Sequence, residues 1–207
     1  MEIRSRSDLY RYRLFVFDLD DTIYREEDYL LQGYDAVSRH LSGKTGCGSS
    51  DYIFDRLVTL FREQGRHKLF DTLLEELDCD KSLVASCVDV LRTFRVKKKL
   101  EMCPEVAGLL QELKGRNKKV YILTNGNPVQ QRNKISNINW GNMTGYPVTV
   151  FADELSPKPS PAGIEQILLQ SGIKETDTIL IGDSEVDMQC AANAGIAFIN
   201  VTSVPLH

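Results

Sequence analysis

The chain has 207 residues, 42% hydrophobic and 26% charged, with a formal net charge of −4 at pH 7. That balance describes a globular protein long enough to bury a real interior, excludes a disordered or fibrous chain, and offers no overall attraction to nucleic acid. No run approaches the roughly eighteen apolar residues that a membrane span requires. The start carries Arg4, Arg6, Arg11 and Arg13 and leads into a strand-like run instead of an export leader, so a cytoplasmic protein with no membrane or nucleic-acid partner is expected. Cys47, Cys79, Cys87, Cys103 and Cys190 are odd in number and never spaced C-x-x-C. Reduced thiols, with neither a disulfide framework nor a zinc site, are therefore expected.

The first strong element is Leu14-Phe15-Val16-Phe17, a short aromatic and β-branched run that reads as a buried strand. It ends in Asp18, Asp20 and Asp21. In an open parallel sheet ligands bind beyond the carboxyl ends of the strands, so Asp18 and Asp20 fall where a catalytic or metal site is expected. Clustered carboxylates repel one another unless a cation neutralises them, and hard oxygen donors suit Mg²⁺ better than a soft metal.

From Glu26 to Leu41, Tyr29, Leu30, Tyr34, Val37 and Leu41 recur at helical spacing, and Ser42 to Ser50, with Gly43, Gly46 and Gly48, reads as a loop. A second helix is predicted from Tyr52 to about Gln64, capped by Ser50 or Asp51, and Gly65-Arg66-His67-Lys68 breaks it. Helices over Leu69–Leu77 and Ser82–Phe94 follow. No strand-like run interrupts residues 26 to 94, which predicts a helical bundle inserted after the first strand.

An α/β rhythm then resumes. Pro104 opens a helix to Lys114 that Gly115 would close in a left-handed conformation. Val120–Leu123 is a buried strand ending at Thr124-Asn125-Gly126, and Pro128 starts a helix through Ile135. Val148–Phe151 is a shorter strand closing at Asp153, and Ser160-Pro161 opens a helix to about Gln170 that Gly172 stops. Thr178–Ile181 is a strand closed by Gly182-Asp183-Ser184; an alanine-rich helix ends at Gly195, and Ala197–Val201 makes a last short strand. The alternation predicts an α/β fold with a mostly parallel sheet.

Four strand ends therefore deliver distinct chemistry to one crevice. The first brings Asp18 and Asp20. The second brings Thr124, Asn125 and Gly126, whose hydroxyl and backbone N–H groups suit phosphate oxygens. Lys158, held between Pro157 and Pro159, is a fixed positive charge, and Asp183 and Asp187, four apart at a helix start, face the same cation. The set describes phosphoryl transfer.

In order and spacing, Asp18-Leu19-Asp20-Asp21-Thr22, Thr124-Asn125, Lys158 and Gly182-Asp183-Ser184-Glu185-Val186-Asp187 resemble the four motifs of the haloacid dehalogenase superfamily, over Phe15 to about Val201. The resemblance implies a Rossmann-like catalytic core over 1–23 and 100–207, a C1-type helical cap over 24–99, bound Mg²⁺ and a covalent aspartyl intermediate. It implies Asp18 as nucleophile and metal ligand, and Asp20 as general acid and base that also ligates the metal through its carbonyl. Thr124, Asn125 and Lys158 would bind the substrate phosphate, and Asp183, supported by Asp187, would complete the metal site. Dehalogenases of the superfamily lack the second aspartate of the first motif, so Asp20 favours phosphate chemistry. The expected activity is Mg²⁺-dependent hydrolysis of a small phosphorylated metabolite, a sugar phosphate or nucleoside monophosphate. A phosphomutase and a catalytically silent phospho-ligand binder are the alternatives. Tyr24, Arg25, Arg66 and His67 are candidate specificity residues of the cap.

Two other motif readings fail. Asp18-x-Asp20-x-Thr22 begins like a calcium loop but carries Ile23 where glycine is needed and Tyr29 where the bidentate glutamate is needed. Ser42-Gly43-Lys44-Thr45 ends like a phosphate-binding loop but has Ser38 in place of the earlier glycine and follows a helix. Lys97-Lys98-Lys99 reads as a solvated hinge.

Overall fold

A computed structural model describes residues 5–44 and 46–204. Arg4 of the basic start and Thr45 of the loop-like tetrapeptide lie outside the described residues. In chain order the elements are α1 (Arg6–Leu9), β1 (Leu14–Phe17), α2 (Glu26–Ser42), α3 (Ser50–Gln64), α4 (Leu69–Glu76), α5 (Leu83–Thr93), α6 (Pro104–Gly115), β2 (Lys119–Thr124), α7 (Pro128–Asn137), β3 (Val148–Phe151), α8 (Ala162–Ser171), β4 (Thr178–Gly182), α9 (Glu185–Asn193) and β5 (Ala197–Asn200). They divide into two compact units. The first comprises the stretches up to Arg25, Leu100–Gln131 and from Ile138 onward; the second comprises Glu26–Lys99 and Arg132–Asn137.

In the first unit all strand pairs are parallel, in the order β3-β2-β1-β4-β5, with Phe17 level with Ile122 on one side and Ile181 on the other. The chain winds outward from β1 through β2 to β3, then crosses back to β4 and β5. The order thus reverses between β1 and β4, the switch point where crevices open beyond the carboxyl ends of strands. Every residue of β1 and β4 is buried, which is why both read as unbroken apolar runs without alternation. Leu14, Val16, Leu123 and Leu180 share one face with Ile164 and Ile167 of α8 and Cys190 and Ala191 of α9, forming one continuous core.

The second unit is helical, α2 packing on α3 and α5, and α4 on α3 and α5. The stripes of α2 and α3 are its interior, with Tyr29, Leu30, Tyr34, Val37, Ile53 and Leu57 buried. Tyr29 lies 4.8 Å from the Phe94 ring. Here the cysteine expectation is corrected: Cys47 and Cys79 are joined by a disulfide, with Cα atoms 5.9 Å apart, while Cys87, Cys103 and Cys190 carry no disulfide. The two are separated by 32 positions in sequence, and only the fold of the bundle brings them together.

Local boundaries shift by a residue or two. α3 is capped by Ser49, whose hydroxyl accepts from the Tyr52 N–H at 3.3 Å, one residue before the expected Ser50. α6 continues through Gly115, and the left-handed residue is Asn117, at φ 55°. Asparagine tolerates that conformation through local hydrogen bonding, so the turn does not need the glycine.

Candidate active site

The first unit gathers the ends of β1, β2 and β4 and the segment after β3. β1 is extended by one residue, since the Asp18 N–H donates to the Ile181 carbonyl at 2.9 Å, and this aims the Asp18 side chain from the strand end. Asp18 is 8% exposed, Lys158 6% and Asp187 1%. The Lys158 ammonium donates to Oδ1 of Asp18 and, at 2.6 Å, to Oδ1 of Asp187. One buried cation is thus shared by two buried carboxylates. An ammonium this deeply buried is costly unless it has counter-charges and hydrogen-bond acceptors, and Asp18 and Asp187 supply both while leaving the cluster net negative.

Protonation follows from burial and charge together. Burial pushes Asp18 up to about 7, with the Asp187 charge adding to the rise and the Lys158 ammonium opposing it. Burial pulls the Lys158 ammonium down, but the two carboxylates outweigh it and the net shift is upward. Asp183 is also raised, chiefly by burial.

Several neighbours hold this arrangement. Asn125 brackets the backbone of Lys158, its Nδ2 donating to the Lys158 carbonyl at 2.9 Å and its Oδ1 accepting the Lys158 N–H at 2.8 Å. Ser184 and Asp187 form a capping box at the start of α9, in which Oδ2 of Asp187 accepts from the Ser184 N–H at 3.2 Å and from its hydroxyl at 2.5 Å. Gly182 lets this happen: a Cβ there would lie 2.6 Å from both Cγ and Oδ2 of Asp187. Thr22, buried behind the loop, approaches Oδ1 of Asp183 at 3.5 Å. Asp18, Asp183 and Asp187 each offer a carboxylate oxygen within 4.8 Å of one another. Three hard oxygen donors at that spacing fit a divalent cation such as Mg²⁺.

The second motif aspartate has different surroundings. Oδ1 of Asp20 accepts from the Tyr24 hydroxyl at 2.6 Å, and Oδ2 accepts from Nε2 of Gln131 at 3.0 Å. The same Nε2 lies 2.6 Å from Oγ1 of Thr124 and 2.9 Å from the Asn125 carbonyl. Thr124 is buried, and its hydroxyl reaches the Asn125 carbonyl at 3.3 Å.

Asp18, Asp20, Thr124, Asn125, Lys158, Asp183 and Asp187 all lie in this unit. Tyr24, expected at the start of the cap, is wholly buried in the same unit, and Arg25 there is exposed. Arg66 and His67 belong to the helical unit, where Arg66 pairs with Oε1 of Glu26 at 2.6 Å and His67 is exposed. Oε1 of Glu26 also accepts from the buried Lys134 at 2.9 Å. Neither Gln131 nor Lys134 is marked in the sequence, since both sit on α7 within a polar run whose apolar periodicity is weak.

The model of the haloacid dehalogenase-like hydrolase family matches residues 12–195. No curated protein sequence matches the chain. Among solved structures, CbbY of Rhodobacter sphaeroides, in complex with phosphate, is similar with 16% identity and a TM-score of 0.61 over 91% of this chain and 85% of that one. YfnB of Bacillus subtilis, a hydrolase bound to magnesium, is similar with 20% identity and a TM-score of 0.61 over 91% and 87%. The defluorinating L-2-haloacid dehalogenase Rha0230 is similar with 17% identity and a TM-score of 0.59 over 90% and 80%. At these identities the likeness is one of fold.

Proposed function

Because the chain belongs to the haloacid dehalogenase-like hydrolase family, we propose that it is a Mg²⁺-dependent phosphomonoester hydrolase acting on a small phosphorylated metabolite, a sugar phosphate or nucleoside monophosphate. The carrying observation is the contrast between two aspartates two residues apart. Asp18 is buried against the ammonium of Lys158, whereas Asp20 is held by a hydroxyl and an amide. Two carboxylates in different environments take different roles. Structures of similar fold include a dehalogenase and a protein in complex with phosphate. Asp20, the residue that dehalogenases of the superfamily lack, decides our choice between them.

In this reading an Asp18 oxygen attacks phosphorus as the ester P–O bond breaks, and the departing alkoxide takes a proton from Asp20. Asp20, now a carboxylate, then removes a proton from water while the water oxygen attacks phosphorus. The bond from phosphorus to Asp18 breaks, its electron pair returns to Asp18, and inorganic phosphate leaves. Two moderate barriers replace one high barrier. Lys158 and the loop from Thr124 to Asn125 hold phosphoryl oxygens and let an anionic nucleophile approach an anionic ester. Mg²⁺ bound by Asp18, Asp183 and the Asp20 carbonyl, with Asp187 in support, would supply further charge neutralisation at those oxygens. Arg25, Arg66 and His67 are the proposed selectors of the leaving group.

The test is phosphate release from p-nitrophenyl phosphate and from a panel of metabolite esters with Mg²⁺ present. Activity that Asp18→Asn abolishes supports the proposal; no release from any ester sinks it. Phosphoryl migration within a sugar without free phosphate would make the protein a mutase. A cytoplasmic setting is part of the proposal, and since disulfides are uncommon in that compartment, the state of Cys47 and Cys79 in protein taken directly from cytosol bears on it.

A further inference from the structure

Resting on the hydrolase reading, we infer that Tyr24 and Gln131 are positioning residues for the proton shuttle of Asp20. A carboxylate on a loop rotates about its terminal torsion over a broad range, so a residue that must face first a leaving alkoxide and then a water needs its plane fixed. Here each oxygen has a neutral donor, the Tyr24 hydroxyl at 2.6 Å on Oδ1 and Nε2 of Gln131 at 3.0 Å on Oδ2. A carboxylate has about four lone-pair sites, and these two donors set its plane while occupying only two of them.

Both donors are themselves immobile. Tyr24 is 0% exposed and is pinned through its backbone by bridges to Asp20 and Met102. Gln131 is 2% exposed, anchored by its backbone N–H to the Asn127 carbonyl at 3.0 Å in the first turns of α7. Its amide orientation is forced by chemistry. Asp20 Oδ2 and the Asn125 carbonyl are both acceptors, so the group facing them must be the NH₂. Gln131 consequently ties the acid-base carboxylate to the Thr124-Asn125 loop, the segment proposed to hold the phosphoryl group. The two halves of the reaction are registered against one another by a single amide.

Two near-isosteric variants isolate this role. Tyr24→Phe deletes only the hydroxyl, and Gln131→Met keeps the length and volume of the side chain while removing the donor. The comparison is kcat/KM for a simple alkyl phosphate against p-nitrophenyl phosphate. An alkoxide needs its proton from Asp20, whereas p-nitrophenolate leaves without one. General acid help is typically worth roughly 10²- to 10⁴-fold, so misaiming it should cost the alkyl ester about 10- to 100-fold and the nitrophenyl ester less than about 3-fold. Mg²⁺ affinity by calorimetry and the melting temperature should stay close to wild type. An equal loss on both esters, or no loss, overturns the inference and leaves the hydrolase reading standing. Wild-type protein inactive on both esters overturns the hydrolase reading and the inference with it.

Discussion

Replacing Gly182 by alanine should damage the fold and the site through one contact. Gly182 has an ordinary negative φ, so alanine is not excluded by backbone strain, and the cost is one of space. The new Cβ would meet Cγ and Oδ2 of Asp187 at 2.6 Å, about 0.8 Å inside the 3.4 Å at which ordinary contact begins. Asp187 cannot retreat freely. Its Oδ2 is held by Ser184, and its Oδ1 by Lys158 at 2.6 Å, a bond that a shift of that size would stretch beyond normal hydrogen-bond length. Overpacking costs about 1–3 kcal/mol and the loss of a hydrogen bond to a charged group about 1.5–3 kcal/mol, so a destabilisation of about 2.5–6 kcal/mol is expected. With an m-value of about 2 kcal/mol/M the urea midpoint should fall by about 1–3 M. Gly108→Ala, in α6 with open space around the Cβ, is the matched control and should raise stability by about 0.5–1 kcal/mol. In an Asp187→Ala background the Gly182→Ala penalty should shrink without vanishing, because the carboxyl group is gone while the remaining Cβ still lies 2.8 Å away. A Gly182→Ala midpoint equal to wild type, or a penalty undiminished by removal of the Asp187 carboxyl, would refute the reasoning.

Lys158→Met leaves Asp18 and Asp187 buried without their shared cation and should cost about 3–5 kcal/mol in chemical denaturation, against a negligible effect for the exposed Lys174→Met. Mg²⁺ at about one hundred times its dissociation constant should stabilise the protein by about 2.7 kcal/mol, or roughly 5–10 °C in Tm for a chain of this size. Asp183→Asn should remove most of that shift, and an unchanged shift would take Asp183 out of the metal site. Thiol titration of the denatured, unreduced protein should find three free cysteines, and reduction five. Closing a loop of about 32 residues restricts the unfolded chain by about 3–4 kcal/mol, so Cys47→Ser should lower Tm visibly. In the native state Cys87 and Cys190, both pushed up to about 11 by burial, should react with iodoacetamide more slowly at pH 8 than the partly exposed Cys103, and comparable rates would count against the burial described for them.

The sequence by itself determined the strands, their acidic and polar ends, and the inserted helical region, because buried parallel strands are short unbroken apolar runs and amphipathic helices carry a visible period. From Asp18, Asp20, Thr124, Lys158 and Asp183 in order it also determined the chemistry worth testing, since each stands next to an apolar run that marks a strand. Tertiary structure alone decided what each side chain touches. Tyr24 reads as the first residue of a cap, yet its hydroxyl lies on Asp20. Gln131 is one polar residue among many on α7, and only the packing of that helix's start against the β2 loop makes it the link between Thr124 and Asp20. Asp187 reads as a supporting metal carboxylate, and only the fold shows that it also accepts from Lys158 and Ser184. Cys47 and Cys79 carry no pairing signal across 32 positions. Periodicity and strand ends are properties of neighbouring residues and are written locally; a hydrogen bond between residues 20 and 131 depends on how the whole chain closes, and no local pattern records it.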